Sequence, residues 1–192
     1  MWHQLREPAD PEAVTRVVAL ARKAVPRCGD TVVVAIDGPS GSGKTTLAKG
    51  VVETLDCPVA HMDLIFPGWD GLAEAVDLVT TQVLEPIARG EQAAYRVWDW
   101  ERNGWGESVT LPRHRYLVLE GCASSVLPAG SYAAVRVWVE APRRTRMARG
   151  IERDGEDFAP HWERWAAQED ALFAADGTRA RADLVIDTAG LR

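Results

Sequence analysis

Residues 38–45 read Gly-Pro-Ser-Gly-Ser-Gly-Lys-Thr, set between the apolar run "TVVVAI" and a segment from Lys44 to about Leu55 with helical patterning. A continuous β-branched run marks a strand buried on both faces, which belongs in a parallel sheet covered by helices. The glycines that follow let successive backbone N–H groups turn inward around an anion, and the next helix adds the positive end of its dipole. The spacing fits G-x-x-x-x-G-K-[ST], and a strand before with a helix after is the context that pattern requires. The expected ligand is a nucleoside triphosphate, ATP, held by Gly38, Ser40, Gly41, Ser42, Gly43, Lys44, Thr45 and Thr46. Lys44 is expected to reach the outer phosphates, and the Thr45 hydroxyl to ligate Mg²⁺.

Strand and helix patterns alternate along the chain. Asp10 and Pro11 open an amphipathic helix to about residue 25, as an N-cap followed by a proline in the first turn. Short strands are expected at 58–63, 116–121, 133–140 and 182–187. Residues 93–100 and 107–112 are extended around the turn 101–106. Helices are expected at 71–90, bent or ended near Pro86, at 142–153 and at 161–175. This alternation predicts an α/β, P-loop NTPase-type parallel sheet with helices on both faces. With no repeat or linker, 1–192 reads as one domain. Residues 1–30 form an N-terminal helical extension expected to lie at the sheet edge, and about 142–175 form a helical, arginine-rich lid.

The bulk properties narrow the partners. A net charge of −6 argues against a nucleic-acid binder, which needs a basic footprint. No apolar run approaches the ~20 residues of a membrane span, and no leader-like segment is present, so no membrane partner and a cytoplasmic location are expected. Cys28, Cys57 and Cys122 are odd in number and widely spaced, which suits buried free thiols better than disulfides or zinc. Monomer or homodimer is the expected state.

Several side chains could complete a phosphoryl-transfer site. "YLVLEG" is an apolar strand ending in Glu120, the form of a second metal-organising element, acting on Mg²⁺ through water. Asp63 follows the second strand at the carboxyl edge of the sheet, where open α/β folds bind ligands. There it could take the proton of an attacking hydroxyl. Trp69, Trp98, Trp100 and Trp105 could enclose a flat or apolar acceptor, with Arg96 and Asp99 beside them. Arg143, Arg144, Arg146, Arg149 and Arg153 crowd one helix, and the last three share a face. Trp162 and Trp165 are spaced to pack inward from the helix that follows.

Asp63 in "MDLIF", "VWDW" at 97–100, "LEG" at 119–121 and "RGIERD" at 149–154 occur in an order and spacing that resemble the uridine/cytidine kinase family. More broadly, the chain resembles P-loop nucleoside and nucleotide kinases over roughly 31–187. The resemblance implies Asp63 as general base, Trp98-Asp99-Trp100 framing the nucleoside, Arg149 and Arg153 closing over the transferring phosphoryl group, and Asp187 and Thr188 near the adenine. The chain departs where that family places a base-contacting histidine, which here is Asn103, and carries Trp98 and Trp100 in place of Tyr and Phe.

The function expected is an ATP- and Mg²⁺-dependent kinase acting on a hydroxyl of a small, nucleoside-like acceptor. Lys44, Asp63, Arg149 and Arg153 are the expected catalytic residues. Two alternatives stay open: a nucleoside monophosphate kinase, with Arg96 or Arg102 holding the acceptor phosphate, and a non-catalytic nucleotide-binding regulatory module.

Overall fold

A computed structural model describes residues 8–155 and 159–190. Five strands, β1 (Val32–Asp37), β2 (Val59–His61), β5 (Tyr116–Glu120), β6 (Ala133–Glu140) and β7 (Leu184–Asp187), form one parallel sheet in the order β2-β5-β1-β6-β7. Every residue of β1 is buried. Its alternation assigns Val33 and Ala35 to one apolar core and Val32, Val34 and Ile36 to the other. A strand apolar on both sides needs cover on both, which is why the run "VVVAI" signals the layered fold.

Helices α1 (Pro11–Lys23) and α2 (Lys44–Leu55) cover the second core, with Val17, Ala21, Ala48 and Val51 buried against the sheet valines. Asp10 caps α1 by accepting from the Glu12 amide. The N-terminal helix thus lies over a sheet face beside α2, where an edge position was expected. Its stripe of five buried valine and alanine positions is too broad for an edge and fits between a helix and a sheet.

The other core is closed by α3 (Leu72–Val79), continued through a π turn (Thr80–Leu84) into α4 (Glu85–Ala88). The expected break near Pro86 takes this form. Pro86 has no N–H for the Gln82 carbonyl, and its ring would clash there in a regular helix. The widened turn, with the Glu85 amide donating to Thr80, absorbs that mismatch one turn early. Beside it, β3 (Ala94–Asp99) and β4 (Gly104–Thr110) form a separate antiparallel hairpin, turning at Asn103 in the left-handed region. Second-strand β4 begins inside the stretch expected to be turn.

Helices α5 (Arg143–Asp154) and α6 (Trp162–Asp176) follow β6. No helix among the described residues is long and apolar enough to cross a membrane. The central β1 has β5 on one side and β6 on the other, so the loops after β1, β2 and β5 open into one crevice at the carboxyl edge.

Candidate active site

The glycine-rich loop follows β1 directly. Gly38 and Gly41 hold φ of +137° and +75°. A Cβ on Gly38 would lie 2.0 Å from the Val139 carbonyl oxygen, and one on Gly41 would lie 2.2 Å from that of Arg146. The loop is therefore pressed between β6 and α5, and only glycine fits at either position. No side chain caps α2, which begins at Lys44 after left-handed Gly43. Its first amides therefore face the loop as an anion site would need. Lys44 is buried, and its Nζ donates to the Pro39 carbonyl (3.1 Å) and to Cys122 Sγ (3.3 Å). Burial alone would lower its pKa, but the acidic groups of Cys122, Glu169, Asp63 and Glu120 around it raise it above the ordinary lysine value. Asp63 thus belongs to the electrostatic surroundings of the loop lysine.

Two strand ends contribute carboxylates. Asp37, the last residue of β1, is 1% exposed and accepts from the Gly38, Ala123 and Ser125 amides and from the Ser125 hydroxyl at 2.7–2.8 Å. It ties the glycine-rich loop to the segment after β5, including Ala123 at φ +67°, a conformation a non-glycine residue holds only when its surroundings impose it. Burial pushes the Asp37 carboxyl up to about 6, against the pull of these donors and of Lys44. Glu120, the last residue of β5, meets the Thr45 hydroxyl at 3.4 Å through one oxygen and His61 Nδ1 at 2.6 Å through the other. Mg²⁺ keeps several waters and commonly takes one or two protein oxygens beside substrate phosphates. The Thr45–Glu120 pair, next to the loop, fits that donor set, with His61 orienting the carboxylate.

The arginines of α5 separate into distinct roles. Arg146 is buried, and its guanidinium donates to the Ser40 and Ala141 carbonyls and lies 3.8 Å from Glu169. Arg149 donates to the Thr188 hydroxyl and carbonyl, and Thr188 in turn donates to the Ser42 carbonyl. Arg146 thus touches the loop directly, and Arg149 grips the segment after β7, beside Gly43. Arg143 bridges to Glu163 and Asp170 on α6. The side chains of Arg153 and Asp154 lie outside the described residues.

The residues expected on the acceptor side include a cluster of aromatic rings. Trp69 stacks on His161 at 4.3 Å, and also meets Trp100 (5.0 Å) and Trp165 (6.1 Å). Trp100 donates from its indole to the Asp63 carbonyl at 3.0 Å, which brings the hairpin tip onto the segment carrying the candidate base. The other hairpin residues serve the hairpin itself. Trp98 packs edge-on against Trp105, Asp99 accepts from the Glu101 and Arg102 amides, and Arg96 donates to the Trp105 and Gly106 carbonyls. Of the expected acceptor residues, Asp63, Trp69 and Trp100 come together, while Arg96, Trp98 and Asp99 are engaged within the hairpin.

Sequence reasoning passed over Asp37, His61, Cys122, His161 and Glu169. Asp37 had a signal, since it ends the apolar run immediately before Gly38. The others are brought in from separate elements by the fold. All three cysteines are buried and free, as expected, and burial raises each thiol above its ordinary pKa.

The fold has counterparts among solved structures. A possible uridine kinase from Bacillus stearothermophilus superposes with a TM-score of 0.67 at 21% identity, covering 92% of this chain and 98% of that one. The chain has the fold of the P-loop kinases. A proposed fructose transport system kinase from Silicibacter sp. TM1040 gives a TM-score of 0.56 at 19% identity, covering 90% and 98%. In sequence, 140 residues are 29% identical to the bifunctional pantoate ligase/cytidylate kinase of Gloeobacter violaceus (strain ATCC 29082 / PCC 7421), a match taking in 67% of this chain and 26% of that protein. The match therefore spans about a quarter of the length of that curated relative. No family model matches the chain.

Proposed function

We propose that the chain is an ATP-dependent kinase that transfers the γ-phosphoryl group to a hydroxyl of a small, nucleoside-like acceptor. The observation that carries this reading is the convergence of Lys44, Asp63 and the Thr45–Glu120 pair at one edge of the sheet. The loop amides and Lys44 hold the β- and γ-phosphates, and Thr45 and Glu120 hold Mg²⁺. When bound, that ion would neutralise charge on the phosphate oxygens. Asp63 orients the acceptor hydroxyl and takes its proton as the oxygen attacks phosphorus. Trp69 and Trp100 supply a wall on which a flat acceptor can lie. Arg146 reaches the same loop from α5, and Arg149 and Arg153 are the further lid arginines. Most of the rate enhancement comes from positioning and charge stabilisation.

A nucleoside monophosphate acceptor is the second reading, favoured by the cytidylate kinase part of the Gloeobacter relative's name. It needs a cation for the acceptor phosphate, and Arg96 is spent on hairpin carbonyls. The test is coupled ADP release with Mg·ATP against nucleosides, nucleoside monophosphates, sugars and amino alcohols, run beside Asp63→Asn. A single acceptor class that stimulates the wild type and not the variant supports the reading and names the acceptor. ATP binding with no stimulation by any of them favours a regulatory nucleotide-binding module.

A further inference from the structure

Glu169, in the third turn of α6, is 1% exposed and belongs to none of the roles above. Its Oε1 accepts from the Ser40 amide (2.8 Å), the Ser40 hydroxyl (2.7 Å), the Trp165 indole (2.8 Å) and the Cys122 thiol (3.1 Å). Its Oε2 has no hydrogen-bond partner among the described residues, with Arg146 the nearest cation at 3.8 Å. The distribution is lopsided. One oxygen with two lone pairs receives four donors while the other is buried with no donor among the described residues, which is costly for a carboxylate. A purely structural anchor would share its donors between both oxygens, as Asp37 does at the end of β1.

Two of the four donors, the amide and hydroxyl of Ser40, belong to the anion cradle. Ser40 is a residue of the glycine-rich loop, and Lys44 feels Glu169 as one of its acidic neighbours. A carboxylate and a phosphate oxygen carry the same sign and seek the same N–H and O–H groups, so one excludes the other. Two like charges sharing this buried site would repel strongly.

We propose that Glu169 is a built-in ligand of the phosphate loop: its carboxylate occupies the anion subsite at Ser40 and must withdraw before an outer phosphate binds there. The inference rests on the reading of the loop as a nucleotide site. It also links the two substrates. The helix that carries Glu169 donates from Gln168 to the Trp69 carbonyl and packs Trp165 against Phe66, both on the acceptor side. Withdrawal of Glu169 therefore shifts the acceptor wall, so that filling the phosphate subsite and reshaping the acceptor pocket are one event.

The experiment compares wild type with Glu169→Gln, binding inorganic tripolyphosphate, ATP and AMP by calorimetry without acceptor, with melting curves to confirm that both are folded. The amide keeps the shape and removes the charge. The expected result is at least tenfold tighter tripolyphosphate and ATP binding by the variant, with AMP, which lacks outer phosphates, little changed. As a second measurement, hydrogen exchange in residues 162–176 of the wild type should rise when tripolyphosphate saturates the loop. This measurement decides alone if the variant does not fold. Equal or weaker tripolyphosphate binding by a folded variant, or added protection of α6 in the wild type, overturns the proposal and leaves the kinase reading standing. Failure of both proteins to bind ATP or tripolyphosphate removes the nucleotide reading and this inference together.

Discussion

Asp37→Asn isolates two opposing effects at the root of the glycine-rich loop. The native carboxylate receives four donors, and hydrogen bonds to a charged group contribute about 1.5–3 kcal/mol each. Full burial opposes them, and the balance leaves the carboxyl at about 6 against an ordinary 3.8. A carboxyl whose folded value lies above its unfolded value holds its proton more tightly when folded. Between the two values the folded chain binds more protons, so stability falls as pH rises through the window; the loss is complete above the folded value and absent below 3.8. Integrating between these limits, the wild type gains on the order of 1 kcal/mol from this group on going from pH 7.5 to pH 5. Asparagine does not titrate, and it leaves the Ser125 amide facing an N–H₂ group. The stability gap between wild type and Asp37→Asn should therefore widen by about that amount at pH 5, or roughly 2–4 °C in Tm for a chain of this size. Urea unfolding of both proteins at the two pH values measures it. A gap that stays flat or narrows toward pH 5 would show that the four donors outweigh burial, and the reasoning would fail.

Two further outcomes bear on the loop. Lys44→Ala should lower acceptor-dependent ADP release at least about a hundredfold, the scale on which removal of a charge-stabilising donor acts, while leaving a cooperative melt; retained turnover would refute the assignment. Gly41→Ala should weaken ATP binding and destabilise the fold, because a left-handed alanine costs about 1–2 kcal/mol even before its Cβ meets the Arg146 carbonyl 2.2 Å away. A melt and a calorimetric titration indistinguishable from wild type would mean that α5 does not press on the loop.

How much was legible in the sequence depended on whether a local pattern sufficed. The strand, loop and helix at 32–55 were readable because each step has a local cause: β-branched residues for a strand buried on both faces, glycines where φ is positive, and a lysine opening the helix. Asp63 and Glu120 were readable because strand ends in a parallel sheet converge. The roles within "VWDW" were not. An aromatic at 98 or 100 looks the same in sequence, yet the turn at Asn103 sends Trp100 to the Asp63 carbonyl and folds Trp98 back on Trp105. The arginines of α5 show the same limit. Helical spacing put Arg146, Arg149 and Arg153 on one face, but which of them meets the loop depends on how α5 crosses it, and that crossing is set by the contact at Gly41.

Glu169 carries the point furthest. In sequence it is one acid among several on an amphipathic helix, 129 residues from the loop serine it binds. Only the packing of α6 over the crevice, driven by Trp162 and Trp165, turns it inward. Desolvating a carboxylate costs several kcal/mol unless its partners are strong. Two of the partners here, the amide and hydroxyl of Ser40, are groups a phosphate would use. A loop built to attract anions will capture a nearby carboxylate when no phosphate is bound, and the same helix then holds the aromatic acceptor wall in register. The features that make the loop a phosphate site are thus the ones that give its own lid helix a reason to dock on it.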